Sequence, residues 1–198
     1  MSQSGARPIG RYERKPVAVG PWDPRAPEVA ALVIAFVEAC RPDLHLEHIG
    51  STSVPGLPGK GIVDLATETD SDAIPGVVAD LYEVGFGPQP GPDPWPPTRP
   101  MLVGSYSLDG QEFRIHLHIQ PVGGDFAIDI EFRDALRADP ALAADYARVK
   151  AEIVDGADGP LDGVVYQDAK GGWIVASMDR LGIPRPQPSA ARRQEVGS

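Results

Sequence analysis

A chain of 198 residues with a net charge of −10 and a hydrophobic share of 42% can bury one sizeable core, and it is too acidic to coat the backbone of a long nucleic acid. A pocket for one nucleotide is not excluded, because a pocket needs only a few local cations. No window approaches the roughly 18 apolar residues of a membrane span, the start MSQSGARPIGRYERK lacks the apolar stretch of a signal peptide, and the single cysteine, Cys40, rules out an intrachain disulfide. Together these features point to a cytoplasmic enzyme or binding protein.

Residues 1–14 read as a flexible start, and 183–198, rich in Pro, Gln, Ser, Ala and Arg, as a disordered tail. One domain over 15–182 remains. Lys15 to Val19 is a candidate short strand. Pro27 suits a first helical turn, and 28–40 continues with a broad apolar face of Val29, Leu32, Val33, Phe36 and Val37, fit to lie on a sheet. Cys40 closes that run and is expected as a buried thiol. His45 to Ile49 and Gly61 to Thr67 read as strands, with a structured loop or brief helix over 50–59 between them. Ser71 or Asp72 caps the next helix, which runs to about Tyr82.

The proline-dense stretch GPQPGPDPWPPTRP over 87–100 is expected to carry no regular structure and to lie near a binding face. Asp109-Gly110 between two apolar-alternating runs, 102–108 and 112–120, is a strong hairpin signal. Helices follow over 126–137, with Asp125 as its cap, then 140–154 and 165–181, the last stopped by Gly182. Four or five strands with helices between and after them make a two-layer α/β or α+β domain.

Side chains alternate across a strand, so each strand separates two sets of residues. Phe113, Ile115, Leu117 and Ile119 form a plain core stripe. Arg114, His116, His118 and Gln120 form the opposite face, a row able to hold a metal or a phosphate, or to sit in solvent. Asp64 lies in the apolar strand GIVDLAT. A carboxylate there is costly unless paired, so it either accepts structural hydrogen bonds or does chemistry. Gly50-Ser51-Thr52-Ser53 supplies small residues, backbone amides and hydroxyls that can cradle a phosphate or simply cap a helix. Lys60, one of four lysines, can pair with a phosphate or with Asp64. The segment is neither a Walker A loop nor a dinucleotide fingerprint. A pocket is expected where 50–60 meets 112–120.

His48-Ile49-Gly50-Ser51-Thr52-Ser53-Val54-Pro55-Gly56-Leu57, followed by Lys60 and Ile62-Val63-Asp64-Leu65, resembles the signature of the GrpB family, small cytoplasmic proteins of nucleotidyltransferase-like fold. Arg114 to His118, Phe132 to Arg137, Tyr146 with Lys150, Tyr166 with Lys170, and Pro21 to Pro24 extend the likeness. The resemblance implies an α/β (α+β) domain with a mixed sheet of four to six strands, packed helices and a helical C-terminal part. It implies that Gly50, Ser51, Thr52, Ser53 and Lys60 receive the phosphates of a nucleotide. It further implies that His48, Asp64 and His118 hold a divalent metal, Mg²⁺ or Mn²⁺, and that Asp64, Arg114, His116 and His118 carry the reaction. The second acidic position of nucleotidyltransferases falls on Ala66, which cannot bind a metal. Two functions follow. One is metal-dependent nucleotidyl or phosphoryl transfer to a small molecule from a nucleoside triphosphate. The other is non-catalytic binding of a nucleotide or phosphorylated metabolite. The partner is a small phosphorylated molecule in either case, with no membrane and no specified oligomeric state.

Overall fold

Three long segments, 62–69, 101–108 and 111–121, build most of the sheet, and the last alternates buried with half-buried residues. The computed structural model describes residues 8–91 and 94–186. Its strands are β1 (Leu46–Ile49), β2 (Ile62–Thr69), β3 (Gly87–Pro88), β4 (Met101–Leu108) and β5 (Gln111–Pro121). They lie in the order β1-β2-β5-β4-β3, with β2 and β5 parallel and the other pairs antiparallel. The hairpin turns at Asp109-Gly110, both at positive φ, as a tight two-residue connection requires. The helices are α1 (Ala26–Cys40), α2 (Ile74–Glu83), α3 (Phe126–Ala138), α4 (Pro140–Asp155) and α5 (Gly163–Leu181). The result is an α+β domain with a mixed five-stranded sheet and a helical C-terminal part, as the sequence implies.

One face of the sheet takes α1 and α2. Val29, Val33 and Val37 of α1, and Val77 and Leu81 of α2, meet Val63, Leu65, Ile115 and Leu117 in the main core, all fully buried. Each such side chain contributes about 1.5–3 kcal/mol by leaving water. The other face meets α3, which also packs on α4, and α4 packs on α5. There Val54, Leu57, Leu136, Leu142 and Tyr146 form a second cluster with Phe132 and Trp173 against it. Asp139 caps α4 by accepting from the amides of Ala141 and Leu142, and Asp162 caps α5 at Val164.

Several local expectations change. Lys15 to Val19 forms no strand. Pro16 has no N–H to give a ladder, and the segment instead crosses the molecule as a strap, with the Val17 amide donating to the Leu161 carbonyl and Gly20 bridging Gly59. Of the expected flexible start, 8–14 are described. Residues 1–7 lie outside the described residues, while Ile9 is buried in the main core and Gly10 pairs with Ser105 on the β4 edge. Of the expected tail, 187–198 lie outside the described residues, and the Ile183 amide donates back to Met178. Cys40 is exposed, because the buried stripe of α1 stops at Val37 and the next core residue is Leu44. Leu32 is likewise 39% exposed. Neither Ser71 nor Asp72 caps α2, which starts after a turn at Ala73. Asp125 does not cap α3, since its carboxylate takes Arg99 at 2.9 Å. Within the proline-dense stretch, Gly87–Pro88 pairs with β4 as a two-residue edge strand, a place where proline is tolerated.

Candidate functional site

The parallel register of β2 and β5 sets Asp64 beside His116 and Ala66 beside His118, on the face turned away from α1 and α2. Asp64 Oδ1 lies 3.3 Å from His116 Nδ1 and 3.8 Å from His118 Nε2. One ligand atom from each of the three residues falls within 4.8 Å of the others, a group that could hold a metal ion. Burial pushes the Asp64 carboxyl up, but the two imidazoles outweigh it and hold it well below the usual carboxylate range. Asp64 is therefore an anion. Burial pulls His116 below its ordinary value, which favours the neutral imidazole that a metal needs.

Gly50 is required beside this carboxylate. Its φ is 69°, and a Cβ there would stand 2.5 Å from Asp64 Oδ2. Two aromatic rings flank the histidines. Tyr12, on the strap, sets its hydroxyl 3.1 Å from His116 Nε2, and Trp95 meets His118 edge-on at 5.4 Å. Asp129, in the first turn of α3, accepts from Gln120 at 2.9 Å, and burial pushes its carboxyl up to about 6.

Cations gather next to this group. Lys150 Nζ donates to Ser51 Oγ at 3.0 Å and to the Pro58 carbonyl, and sits over the Tyr146 ring at 4.4 Å. Lys170 Nζ lies between Tyr146 and Tyr166, at 5.9 and 5.5 Å from their centroids, and Lys60 lies over Tyr166 at 5.4 Å. Lysines and tyrosines thus alternate from Ser51 to Lys60. Burial lowers Lys150 to about 7 and Lys170 to about 8, and it lowers Lys60 as well. Each ammonium is held short of water, so an incoming anion would gain where it would otherwise meet screened charge. Arg114 Nη2 donates to the Lys60 carbonyl at 2.7 Å and so pins the loop that carries the lysine.

The structure brings Asp64, His116 and His118 together, with Arg114, Lys60, Gly50 and Ser51 around them. It does not bring in His48. That residue faces Leu65 across the antiparallel β1–β2 pair, hence on the opposite side of the sheet from Asp64, and its Nε2 stands 3.0 Å from Thr52 Oγ1. Burial pulls it down to about 4. Thr52 and Ser53 are likewise engaged. Their hydroxyls donate to the Ile62 carbonyl at 2.9 Å and the Gly50 carbonyl at 2.6 Å, which shapes the short helical turn and leaves Ser51 as the loop hydroxyl facing the lysines. A groove of about 630 Å³ lined by Pro27, His48, Ser53, Leu57, Arg137 and Ala147 includes none of Asp64, His116 or His118. The donor chemistry, not that hollow, marks the candidate site.

Sequence reasoning passed over Lys150, Lys170, Tyr12 and Asp129 as site residues. The signal for two of them is the repeat Tyr146-x-x-x-Lys150 and Tyr166-x-x-x-Lys170, which sets each pair on one helix face. The donors fit one divalent ion. They do not fit a pair of ions between carboxylates, because Ala66 is fully buried against Ile49 and Phe126 where the second acid would stand.

Comparison with known proteins gives a consistent answer. Residues 16–180 match the model of the family described as GrpB protein. UPF0157 protein SCO7215 of Streptomyces coelicolor is 32% identical over 156 residues, covering 76% of this chain and 75% of the relative. UPF0157 protein BH1888 of Halalkalibacterium halodurans is 38% identical over 113 residues, 56% of this chain and 54% of that protein. Among solved structures, the conserved protein GrpB from Enterococcus faecalis superposes with a TM-score of 0.63 at 22% identity, covering 82% of this chain and 96% of that one. Among the described residues, no helix is long and apolar enough to cross a membrane.

Proposed function

This chain belongs to the GrpB family, and we propose on that footing that its cleft is a divalent-metal site for nucleotidyl or phosphoryl transfer to a small molecule. The observation that carries the reading is the convergence of three of the chain's four lysines beside Ser51 and the Asp64–His116–His118 cluster, in a protein of net charge −10. Without that local charge the protein would repel a polyphosphate.

Ser51, Lys60, Lys150 and Lys170 receive the phosphate oxygens. Lys150 and Lys170, lowered to about 7 and 8 before a ligand arrives, take up protons as the anion binds, since an opposite charge favours the ammonium. Arg114 holds the Lys60 loop and adds its own charge where negative charge develops. Asp129, raised to about 6, can give or accept a proton near neutral pH. A divalent ion held by Asp64, His116 and His118 would supply Lewis-acid polarisation of a phosphoryl oxygen.

A second reading, binding without catalysis, draws on Ala66, which removes the second carboxylate of a two-ion mechanism. Two measurements test the two readings. Calorimetry with triphosphates against the matching nucleosides tests recognition, and equal affinities would end both readings. Divalent-dependent release from mixed nucleoside triphosphates of pyrophosphate, for nucleotidyl transfer, or of nucleoside diphosphate, for phosphoryl transfer, tests catalysis. Tight triphosphate binding without release favours the binding protein.

A further inference from the structure

We infer that the Asp64–His116–His118 cluster takes a single nitrogen-accepting first-row ion of the Zn²⁺, Co²⁺ or Fe²⁺ class in preference to Mg²⁺, with His116 engaged through Nδ1 and oriented by Tyr12. The inference rests on the metal half of the proposed function and departs from the Mg²⁺ that a nucleotidyltransferase-like site implies.

The donor set decides the class. Mg²⁺ is a hard ion that takes oxygen ligands and keeps several waters, whereas imidazole nitrogens suit Zn, Fe and Ni. Here two donors of three are imidazoles. The strand position where a second carboxylate would enter is closed by Ile49, Ala66 and Phe126. Two of the three ligand spacings also fit. An ion with bonds of about 2.1 Å in tetrahedral geometry separates its ligand atoms by about 3.4 Å, and Asp64 Oδ1 stands 3.3 Å and 3.8 Å from the two histidine nitrogens.

The surroundings hold these donors in place. Gly50 leaves room for Asp64 Oδ2 against the backbone, so the other carboxylate oxygen, Oδ1, turns to the histidines. Tyr12 Oη at 3.1 Å from His116 Nε2 serves either tautomer, because a hydroxyl both donates and accepts. When Nδ1 gives its lone pair to a metal, the remaining ring proton sits on Nε2 and Tyr12 accepts it. Partners of this kind orient a metal-bound histidine. Tyr12 lies outside the stretch that matches the family model, which begins at residue 16.

The test uses the full chain in a Cys40→Ser background, which removes the exposed thiol as a competing zinc ligand. After chelator treatment, Zn²⁺, Co²⁺, Mn²⁺ and Mg²⁺ are titrated by calorimetry, and Co²⁺ also by its visible spectrum. Zn²⁺ should bind at least about a hundredfold more tightly than Mg²⁺. Asp64→Asn and His118→Ala should each remove that site. Tyr12→Phe should weaken Zn²⁺ by about ten- to hundredfold and change the Co²⁺ spectrum, with the melting temperature of the metal-free protein unchanged. Mg²⁺ binding as tightly as Zn²⁺, or Zn²⁺ retained by both ligand variants, overturns the inference. Loss of fold in His118→Ala leaves Asp64→Asn and Tyr12→Phe to decide. Inorganic triphosphate titrated into the metal-free protein separates the two proposals. Its binding without a Zn²⁺ site sinks the metal class alone, and a Zn²⁺ site without it sinks phosphate recognition alone.

Discussion

The two faces of the central strands β2 and β5 are made from the same eight paired positions, yet they do opposite work. On one face Val63, Leu65, Ile115 and Leu117 are fully out of water against α1 and α2. On the other, Asp64, Arg114, His116 and His118 are polar, half-buried and aimed at one another or at a loop. Stability resides in one face and the candidate metal-ligand cluster in the other, separated by a single residue step along each strand. A shift of the β2–β5 register would move Asp64 out of line with His116, so the apolar face also fixes the geometry of the polar one.

The sharpest way to break this division is to damage the apolar face alone. Leu117→Ala should cost about 2–5 kcal/mol by lost burial and an unfilled cavity, read as a lower midpoint in urea unfolding. Phosphate affinity of the fraction that remains folded should stay near that of the parent. A parallel fall in affinity would mean that the two faces are not separable.

A smaller effect is expected on the polar face. Lys60→Ala should weaken triphosphate binding about ten- to hundredfold while changing nucleoside binding little, since a charge-assisted hydrogen bond is worth roughly 1.5–3 kcal/mol. Arg114→Lys should also impair binding, because a flexible ammonium cannot reproduce the directed Nη2 hydrogen bond to the Lys60 carbonyl. Calorimetry at matched ionic strength reads both. Parent-like affinity in both variants would move the phosphate site away from this loop.

A further effect is in pH. Lys150 and Lys170 stand at about 7 and 8 in the fold against an ordinary 10.5. Between those values the unfolded chain binds more protons, so this pair adds stability as pH rises from about 7 toward 10 and withdraws it as pH falls again. Tyr146 and Tyr166 are raised by burial, so they act in the other direction once pH exceeds about 10. A melting temperature that climbs from pH 7 to about 10 and then declines is expected. Lys150→Met and Lys170→Met should flatten the climb.

The apolar face was largely legible in the sequence, because period-two alternation and the Asp109-Gly110 turn specify strands and hairpin locally. The row of Arg114, His116 and His118 was legible for the same reason, and the likeness of 48–65 to a family signature tied Asp64 to it. What could not be read was which face each residue of β1 takes. Antiparallel pairing puts Ile49, not His48, opposite Asp64, and a short edge strand carries too little pattern to fix that parity. The lysine ladder was missed because its members lie on different elements. Lys150 meets Ser51 across 99 positions of sequence, and the family likeness marked the Tyr146–Lys150 and Tyr166–Lys170 pairs without placing them beside that loop. Thr52 and Ser53 promised ligand hydroxyls, but a tight turn uses such groups to satisfy its own carbonyls.

The strap has a consequence for how the molecule is made and how it comes apart. Tyr12 reaches His116 across 104 positions of sequence, and Arg14 reaches Asp162 across 148. Contacts this distant carry a loop-closure cost and form late, so the strap is among the last segments to dock. The backbone of the same segment is held by isolated bridges at Gly10 and Gly20, one amide at Val17 and the Ser105 hydroxyl donating to the Arg11 carbonyl, with no ladder along 11–19. Such a piece opens at lower free energy than the sheet beneath it. Hydrogen exchange should find the strap amides exchanging well ahead of β2 and β5, and each opening would release the Tyr12 hydroxyl from His116 while the fold stays whole.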